Sequence, residues 1–377
     1  MRIVQVAPYF HPHAGGVESH VRAIAREFAR TGHEVTILTS RYDRRLPEEE
    51  RFEGYRILRA RTYGVWFNTP IDPGVRRRLG EIDGDIVHLH YPPPLTSYFA
   101  THPGPGVGRP TCLTYHCDLY LPTPIGAVLT GLYDRILLPS TLRKVGRIVV
   151  HTRSYALTSR ALRDRPIEII PSSVDLDRFR PGVDGAAIRR RLQIEDRRVI
   201  AFAGRLVPHK GVDTILRALA RLPSDVVLLV IGRGPDLASL TELARRLDVL
   251  DRVRFCPRVD DDELPQYLRA ADLFVFPSQN RLEGFGLAVA EALASGLPVV
   301  VADIPGVREV IEPGREGLLA EPLLEGSLAD RIRELLDDPA RRAQMGRAAR
   351  ARAEERYGVA TVTSSLIALY QRLIAAG

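Results

Sequence analysis

At 377 residues, 45% hydrophobic and 26% charged, the chain is too long for one domain of ordinary size and carries enough apolar material for two α/β cores. Three cysteines, Cys112, Cys117 and Cys256, are too few and too unevenly spaced for a disulfide framework, which favours a reducing compartment and leaves Cys112 and Cys117 as ordinary buried thiols. The formal net charge of +7 arises in the first half alone, where residues 1–170 hold 23 Lys and Arg against 16 Asp and Glu, while residues 171–377 hold 30 against 30. No helix-turn-helix, zinc-knuckle or aromatic-basic strand pattern accompanies that excess, so no nucleic acid is expected as a partner. An anionic membrane surface or a phosphorylated acceptor is the candidate partner, weighed against the plain reading that runs such as Arg76-Arg77-Arg78 are solvated helix faces. The opening MRIVQVAPYF lacks a basic leader followed by an apolar core and a cleavage site, and no apolar run approaches about 18 residues. The expected location is cytoplasmic, with a peripheral position at the inner face of the cytoplasmic membrane left open.

In chain order, residues 2–7 form an apolar strand that feeds a loop at 8–16 and then a helix whose Val17, Val21, Ile24 and Phe28 share one face. Gly32 ends the helix and a second strand follows at 34–39. The turn carries Gly15 and Gly16 but no GxGxxG, and no acid ends the second strand where a ribose would need it, so the dinucleotide fingerprint is absent. Those glycines serve either a tight turn or the close approach of a ligand to the helix start.

Mostly apolar strands are expected at 55–58, 85–90, 111–116, 147–151 and 168–170, hence a largely parallel sheet covered on both faces. His88 and His90 share one strand face; with no third ligand nearby, two satisfied histidines outweigh a metal site. Segment 121–142, with Ile125, Val128, Leu129, Leu132, Ile136 and Leu137, reads either as a core helix or as a surface that docks on a membrane. Residues 171–181 break the pattern as a linker would. Their Asp175-Leu176-Asp177 spells DxD, but the place between domains favours a turn begun by Asp177 over a divalent-metal site, and no metal is expected. A second series of strands follows at 199–203, 226–231, 252–255, 273–276 and 298–302, and residues 357–376 close the chain as a helix with Val362, Leu366, Leu369 and Leu373 on a stripe.

The chemistry concentrates in two stretches of this second series. The strand at 273–276 runs into a polar loop holding Glu283, then Gly284, Phe285 and Gly286, then a helix at 287–294 that contains Glu291. Glycines let a ligand come close to the backbone, and a helix start offers unpaired N–H groups and the positive end of a dipole, which suits phosphate. One carboxylate before that seat and another beyond it suit the sugar and ribose hydroxyls of a nucleotide sugar. The strand at 199–203 ends in GRLVPHKG, where Gly204 permits the turn, Arg205 can fork two phosphate oxygens and Lys210 adds a compact charge. Residues 231–235, IGRGP, bring Gly232 to a loop of the same kind, and Asp236 reads as a helix cap.

GRLVPHKG, IGRG, the segment EGFGLAVAEALASGLPVVVAD and the opening GGVE together resemble glycosyltransferase family 4, the retaining sugar-transfer enzymes of GT-B architecture, and the likeness covers nearly the whole chain. The resemblance implies two doubly wound, Rossmann-like domains facing each other across a cleft. Residues 1–172 with a returning helix at 358–377 would bind the acceptor, and residues 173–357 the donor. It implies a retaining enzyme that moves a hexosyl group of glucose, mannose or N-acetylhexosamine type from a nucleotide-diphosphate sugar, such as a UDP- or GDP-sugar, to an acceptor hydroxyl. The acceptor would be a glycan or glycolipid, as in a lipid-linked or cell-envelope precursor, and no cofactor or metal would be obligatory. Arg205 and Lys210 would neutralise the departing diphosphate, Glu283 would hold sugar hydroxyls and Glu291 the ribose. Gly284, Phe285, Gly286 and Leu287 would line the donor through their backbone, with Gly204 and Gly232 beside them. Gly15 and Gly16 would approach the phosphates from the first domain, His116 would face the reacting sugar, and the backbone of Arg258 would meet the base. Three departures stand out: Pro257 where a glycine is usual, no clear counterpart within 321–327 of the acid often found before the last domain helices, and Tyr357-Gly358 in place of a frequent tryptophan. Rival readings are a GT-B epimerase or phosphorylase and a nucleotide-sugar-binding protein without turnover.

Overall fold

The computed structural model describes residues 1–13, 15–102, 108–119 and 123–376. Ala14 of the 8–16 loop, Leu121 of the 121–142 segment and Gly377 of the last helix lie outside the described residues. The chain divides into two compact units, Met1–Ser173 with Val359–Gly377, and Val174–Gly358.

The first unit is built on β1 (Arg2–Ala7), β2 (Glu34–Arg41), β3 (Glu49–Phe52), β4 (Tyr55–Arg61), a hairpin of β5 (Val65–Trp66) and β6 (Thr69–Pro70), β7 (Ile86–Tyr91), β8 (Thr111–Tyr115), β9 (Arg147–Val150) and β10 (Ile167–Ile169). Its eight-stranded sheet runs β10-β9-β8-β7-β1-β2-β4-β3, parallel except where β3 folds back on β4. β3 and the hairpin are not visible to a search for apolar runs: β3 reads Glu-Glu-Arg-Phe on an edge, and the hairpin strands are two residues each. Because successive side chains alternate across a strand, the core divides into two layers. Val4, Val6, Val87 and Leu89 face one, and Ile3, Ala7 and Ile86 face the other. The second layer is roofed by the helix Gly16–Arg30, through Val21, Ile24 and Phe28, and by the returning helix Val359–Ala376. That last helix is long and apolar enough to cross a bilayer by length and composition, but Val362, Leu366, Leu369 and Tyr370 are buried in this core.

In the second unit β11 (Arg198–Ala203), β12 (Val226–Ile231), β13 (Val253–Cys256), β14 (Leu273–Phe276), β15 (Val299–Ala302) and β16 (Gly317–Ala320) form an all-parallel sheet in the order β13-β12-β11-β14-β15-β16. Strands such as VVLLVI and LFVF are apolar throughout because both faces are covered. β16 is an addition to the expected strands. The order reverses between β11 and β14, and in such sheets the crevice beyond the carboxyl ends at that reversal is where ligands bind. The unit boundary falls inside 171–181, which is packed on both sides of it: Ser172 and Ser173 are buried in the first unit, and Val174 and Phe179 in the core of the second. Within that segment Asp175, rather than Asp177, makes the turn, since its Oδ1 accepts from the backbone N–H of Asp177 and of Arg178, each at 3.1 Å.

Candidate active site

The strand reversal in the second unit gathers most of the expected donor residues. β11 ends at Ala203 and hands the chain to Gly204, Arg205 and a short 3-10 turn, Pro208–Lys210. β14 ends at Phe276 and leads to Glu283, Gly284, Phe285 and Gly286, which caps the helix Leu287–Ala294 in a left-handed conformation. The two loops are tied together: Gln279 N–H donates to the His209 carbonyl at 2.8 Å, and the Gln279 side chain donates to Asp213 at 3.2 Å. Lys210 Nζ is hydrogen-bonded and ion-paired to Glu283 Oε2 and lies 4.9 Å from the centroid of the Phe276 ring. Both members are mostly enclosed, with side chains 17% and 13% exposed. A second donor to the same oxygen is Ser278 Oγ at 3.5 Å. Arg205 is exposed, and among the described residues it has no ion-pair partner.

The glycines differ in what they do. Gly232, with φ of 135°, lies so close to the Gly204 carbonyl that a Cβ there would sit 2.0 Å from its oxygen, so the loops after β12 and β11 meet backbone to backbone. Phe285 is an anchor as well as a backbone contributor: its ring is buried and packs edge-on to Tyr357 at 5.5 Å. Leu287 packs partly buried against the core, and Arg258 is exposed on the loop after β13. Glu291 lies on the helix that Gly286 starts. Burial pushes its carboxyl up to about 7, with Arg178 opposing and Asp261 adding to the rise. Asp236 stands at the helix position expected of a cap, but its side chain accepts no helix N–H, and burial with Asp213 nearby raises its pKa.

Gly15, Gly16 and His116 belong to the first unit. Gly15 precedes the helix Gly16–Arg30 in extended backbone, and a Cβ on Gly16 would meet nothing within 4 Å. His116 follows β8 and both its ring nitrogens have partners, His90 Nδ1 at 3.1 Å and His151 Nε2 at 2.9 Å. His20, one turn beyond Gly16, packs edge-on to His116 at 5.6 Å between centroids. His88 and His90 are fully buried and hydrogen-bonded at both nitrogens, to Tyr370 and Thr114 and to His116 and Gln5. Among the described residues no group of three His, Cys, Asp or Glu is set to hold a metal ion.

Sequence reasoning missed this histidine group, although a signal was present, because His90, His116 and His151 each stand at or just past the carboxyl end of three successive parallel strands. It also missed Gly306, whose Cα is so near the loop that a Cβ would fall 2.7 Å from the Glu283 carbonyl oxygen.

Comparison with known proteins agrees with this layout. The family model described as Glycosyltransferase Family 4 matches residues 14–178, and the one described as Glycosyl transferases group 1 matches residues 184–352. A GDP-mannose-dependent alpha-(1-6)-phosphatidylinositol monomannoside mannosyltransferase of Mycolicibacterium smegmatis is 30% identical over 359 residues, covering 90% of this chain and 91% of its own. A phosphatidyl-myo-inositol mannosyltransferase of the same organism is 30% identical over 390 residues, 100% of this chain and 95% of that one. Among solved structures, sucrose-phosphate synthase from Thermosynechococcus elongatus matches over 100% of both chains with a TM-score of 0.84 at 22% identity. HepE of Anabaena, in complex with UDP, matches over 99% of this chain and 100% of its own with a TM-score of 0.79 at 20% identity. The chain therefore belongs to glycosyltransferase family 4 and is a glycosyltransferase of the GT-B fold.

Proposed function

We propose that this chain is a retaining mannosyltransferase that uses GDP-mannose as donor and an inositol phospholipid or its mannosylated form as acceptor. What supports the reading is the meeting of Lys210, Glu283 and the Gly286 helix start at the carboxyl edge of β11 and β14, in a chain whose full-length relatives are named for that donor and lipid. Breaking the anomeric C–O bond leaves positive charge on the sugar and negative charge on the diphosphate. Groups fixed in advance at the diphosphate lower that barrier without reorganising during the step. Arg205 and Lys210 carry that charge, and the helix start at Gly286 adds N–H donors. Glu283 then turns from Lys210 to the sugar hydroxyls, and Glu291 accepts from the ribose. Gly16 and His116 serve the phosphates and the reacting sugar from the first unit. The acceptor attacks on the face the nucleotide leaves, with the departing phosphate taking its proton, and Arg205 and Lys210 do the work without an obligatory metal.

The lipid arm of this proposal rests on a surface. On the helix Pro124–Arg143, Ile125, Val128, Leu132 and Ile136 are 69%, 71%, 55% and 56% exposed at helical spacing, while Tyr133, Leu138 and Leu142 of its other face are buried. Arg135, Arg143 and Lys144 are exposed at the same helix, and none of the three has an ion-pair partner among the described residues. Tyr63, Val65 and Trp66 are also exposed, at and beside the β5–β6 hairpin. Apolar groups flanked by free cations suit an anionic lipid surface.

The test is transfer from GDP-mannose into phosphatidylinositol or its monomannoside in mixed vesicles, with the product identified by mass spectrometry and its anomeric configuration by NMR. An α-linked mannolipid, formed equally in excess EDTA, is the expected result. Transfer only from a UDP-sugar, or only water as acceptor, would overturn the donor or the acceptor assignment respectively.

A further inference from the structure

The alternation of β1, β7, β8 and β9 lines one face of the first unit's sheet with polar side chains in an otherwise apolar layer. Gln5, His88, His90 and Thr114 are buried there, with His116 and His151 just past the strand ends and Tyr370 descending from the last helix. They form one continuous series of contacts, and its direction follows from one atom. His151 Nδ1 lies 3.0 Å from the carbonyl oxygen of Ile170, which can only accept, so that nitrogen carries a proton. In a neutral ring the other nitrogen is then a lone pair, so His116 Nδ1, 2.9 Å from His151 Nε2, must donate. By the same step His116 Nε2 accepts from His90 Nδ1 at 3.1 Å. His90 Nε2 is left as an acceptor 2.6 Å from the Gln5 amide.

As placed, Gln5 turns Oε1 to His90 Nε2 and Nε2 to Tyr370 Oη. Oxygen and nitrogen of a side-chain amide are told apart by their partners, and the proton fixed at His151 requires the amide reversed, with its NH2 toward His90 and its oxygen toward Tyr370. Tyr370 Oη, 3.3 Å from the other end of that amide, then donates to it and accepts from His88 Nδ1 at 2.6 Å. His88 Nε2 in turn accepts from the Thr114 hydroxyl at 2.7 Å. Each ring N–H in the series has an acceptor and no ring needs a second proton. His20 is set the opposite way: the backbone N–H of Ser173 can only donate, 3.3 Å from His20 Nδ1, so its proton lies on Nε2.

We propose that His90 and His151 are positioning residues that clamp both ring nitrogens of His116 and hold it as the neutral tautomer with its proton on Nδ1. Neutrality agrees with burial, which lowers His151 to about 4 and His88 to about 3 and holds His90 and His116 well below the ordinary histidine value. The groups facing this series are His20 from the helix Gly16–Arg30 and Cys112 of β8, beside Tyr370; neither brings a charge that would favour an imidazolium. The consequence deepens the proposed function and rests on the role given there to His116. That ring meets its ligand uncharged, fixed in angle and with both nitrogens already bonded, so it presents its C–H edge and face to the reacting sugar and does not deliver a proton to it.

Nitrogen-15 NMR of the histidine-labelled wild-type protein at pH 7 tests the assignment without reference to activity. Nδ1–H is expected on His88, His90, His116 and His151, and Nε2–H on His20; Nε2–H or an imidazolium at His116 would overturn the proposal. Kinetics test the positioning. His151→Leu should lower kcat by about tenfold to a hundredfold with the donor KM little changed, a range typical of outlying groups that orient a reactive one. His151→Gln, which offers one donor and one acceptor, should recover most of the loss. A His151→Leu protein with unchanged kcat overturns the positioning role, whereas unchanged kcat in His116→Ala overturns the reading of His116 itself. Should the variants not fold, the wild-type spectrum still decides the tautomers.

Discussion

Lys210 and Glu283 are ion-paired between the loop after β11 and the loop after β14, so the cation expected to meet a diphosphate is held on a carboxylate. A carboxylate carries one charge and a diphosphate more, and Arg205 stands by with no ion-pair partner among the described residues, so a donor can draw Lys210 off Glu283 and free that acid for hydroxyls. Lys210→Ala should therefore lower kcat by about 10²- to 10³-fold, the usual effect of deleting one preorganised stabiliser. Glu283→Gln separates the two duties. It should bind free GDP more tightly than wild type, because the competing carboxylate is gone, yet transfer mannose poorly. Calorimetric titration with GDP beside initial-rate kinetics checks both; weaker GDP binding by Glu283→Gln would contradict the exchange of partners.

Glu291 gives the site a pH dependence whose sign can be worked out. Burial sets its carboxyl at about 7 against an ordinary value of 4.5, so below neutrality it is largely protonated in the folded chain. A ribose that donates to the carboxylate should bind better as the pH rises from 6 to 8, by up to about tenfold, the change in the ionised fraction about a midpoint of 7. Glu291→Gln should flatten that dependence. Linkage runs the other way for stability: between about 4.5 and 7 the folded chain holds the extra proton, so its stability falls as the pH rises through that window. Glu291→Gln should accordingly gain on wild type in thermal unfolding at pH 8 relative to pH 4.5. Donor titrations and melting curves across this range read the two effects separately.

The exposed stripe of the helix Pro124–Arg143 predicts binding to anionic vesicles that weakens as salt is added, since Arg135, Arg143 and Lys144 lie in water and are screened. Replacing Ile125, Val128, Leu132 and Ile136 by serine removes surface that is already exposed, so folding should be unaffected while vesicle flotation is lost. Transfer to a lipid acceptor should fall in the same variant with the donor KM unchanged. Flotation equal to wild type would remove the membrane reading and leave the stripe without an assigned partner.

Much of this architecture is legible in the sequence because it rests on local pattern. Apolar runs such as VVLLVI and LFVF announce buried parallel strands, and a strand followed by an acid, a glycine turn and a helical pattern announces the helix that starts after Gly286. What stays hidden depends on register and on distance along the chain. Lys210 and Glu283 each look like a group waiting for ligand, and only the adjacency of β11 and β14 reveals that they hold each other. The histidine series requires knowing that β1, β7, β8 and β9 are neighbours with Gln5 beside His88 and His90 beside Thr114. β3 escapes notice because an exposed edge strand need not be apolar.

Two glycines should part cleanly into structural and ligand-facing roles. Gly306 has φ of 95°, and a Cβ there would lie 2.7 Å from the Glu283 carbonyl oxygen and 2.8 Å from that of Gly284, so an added methyl must push the loop that carries Glu283. Gly306→Ala should cost about 1–3 kcal/mol of stability and slow transfer through the displaced acid. Gly16 meets nothing within 4 Å at the position of a Cβ and begins a helix, where alanine is favoured over glycine. Gly16→Ala should therefore keep or slightly raise the melting temperature, and its whole effect should appear as weaker donor binding because the methyl occupies the space a phosphate needs. Melting curves of the two variants with and without GDP-mannose distinguish the cases. A Gly16→Ala protein that melts early, or that binds donor as wild type does, would show that the open space before this helix is not where the donor comes.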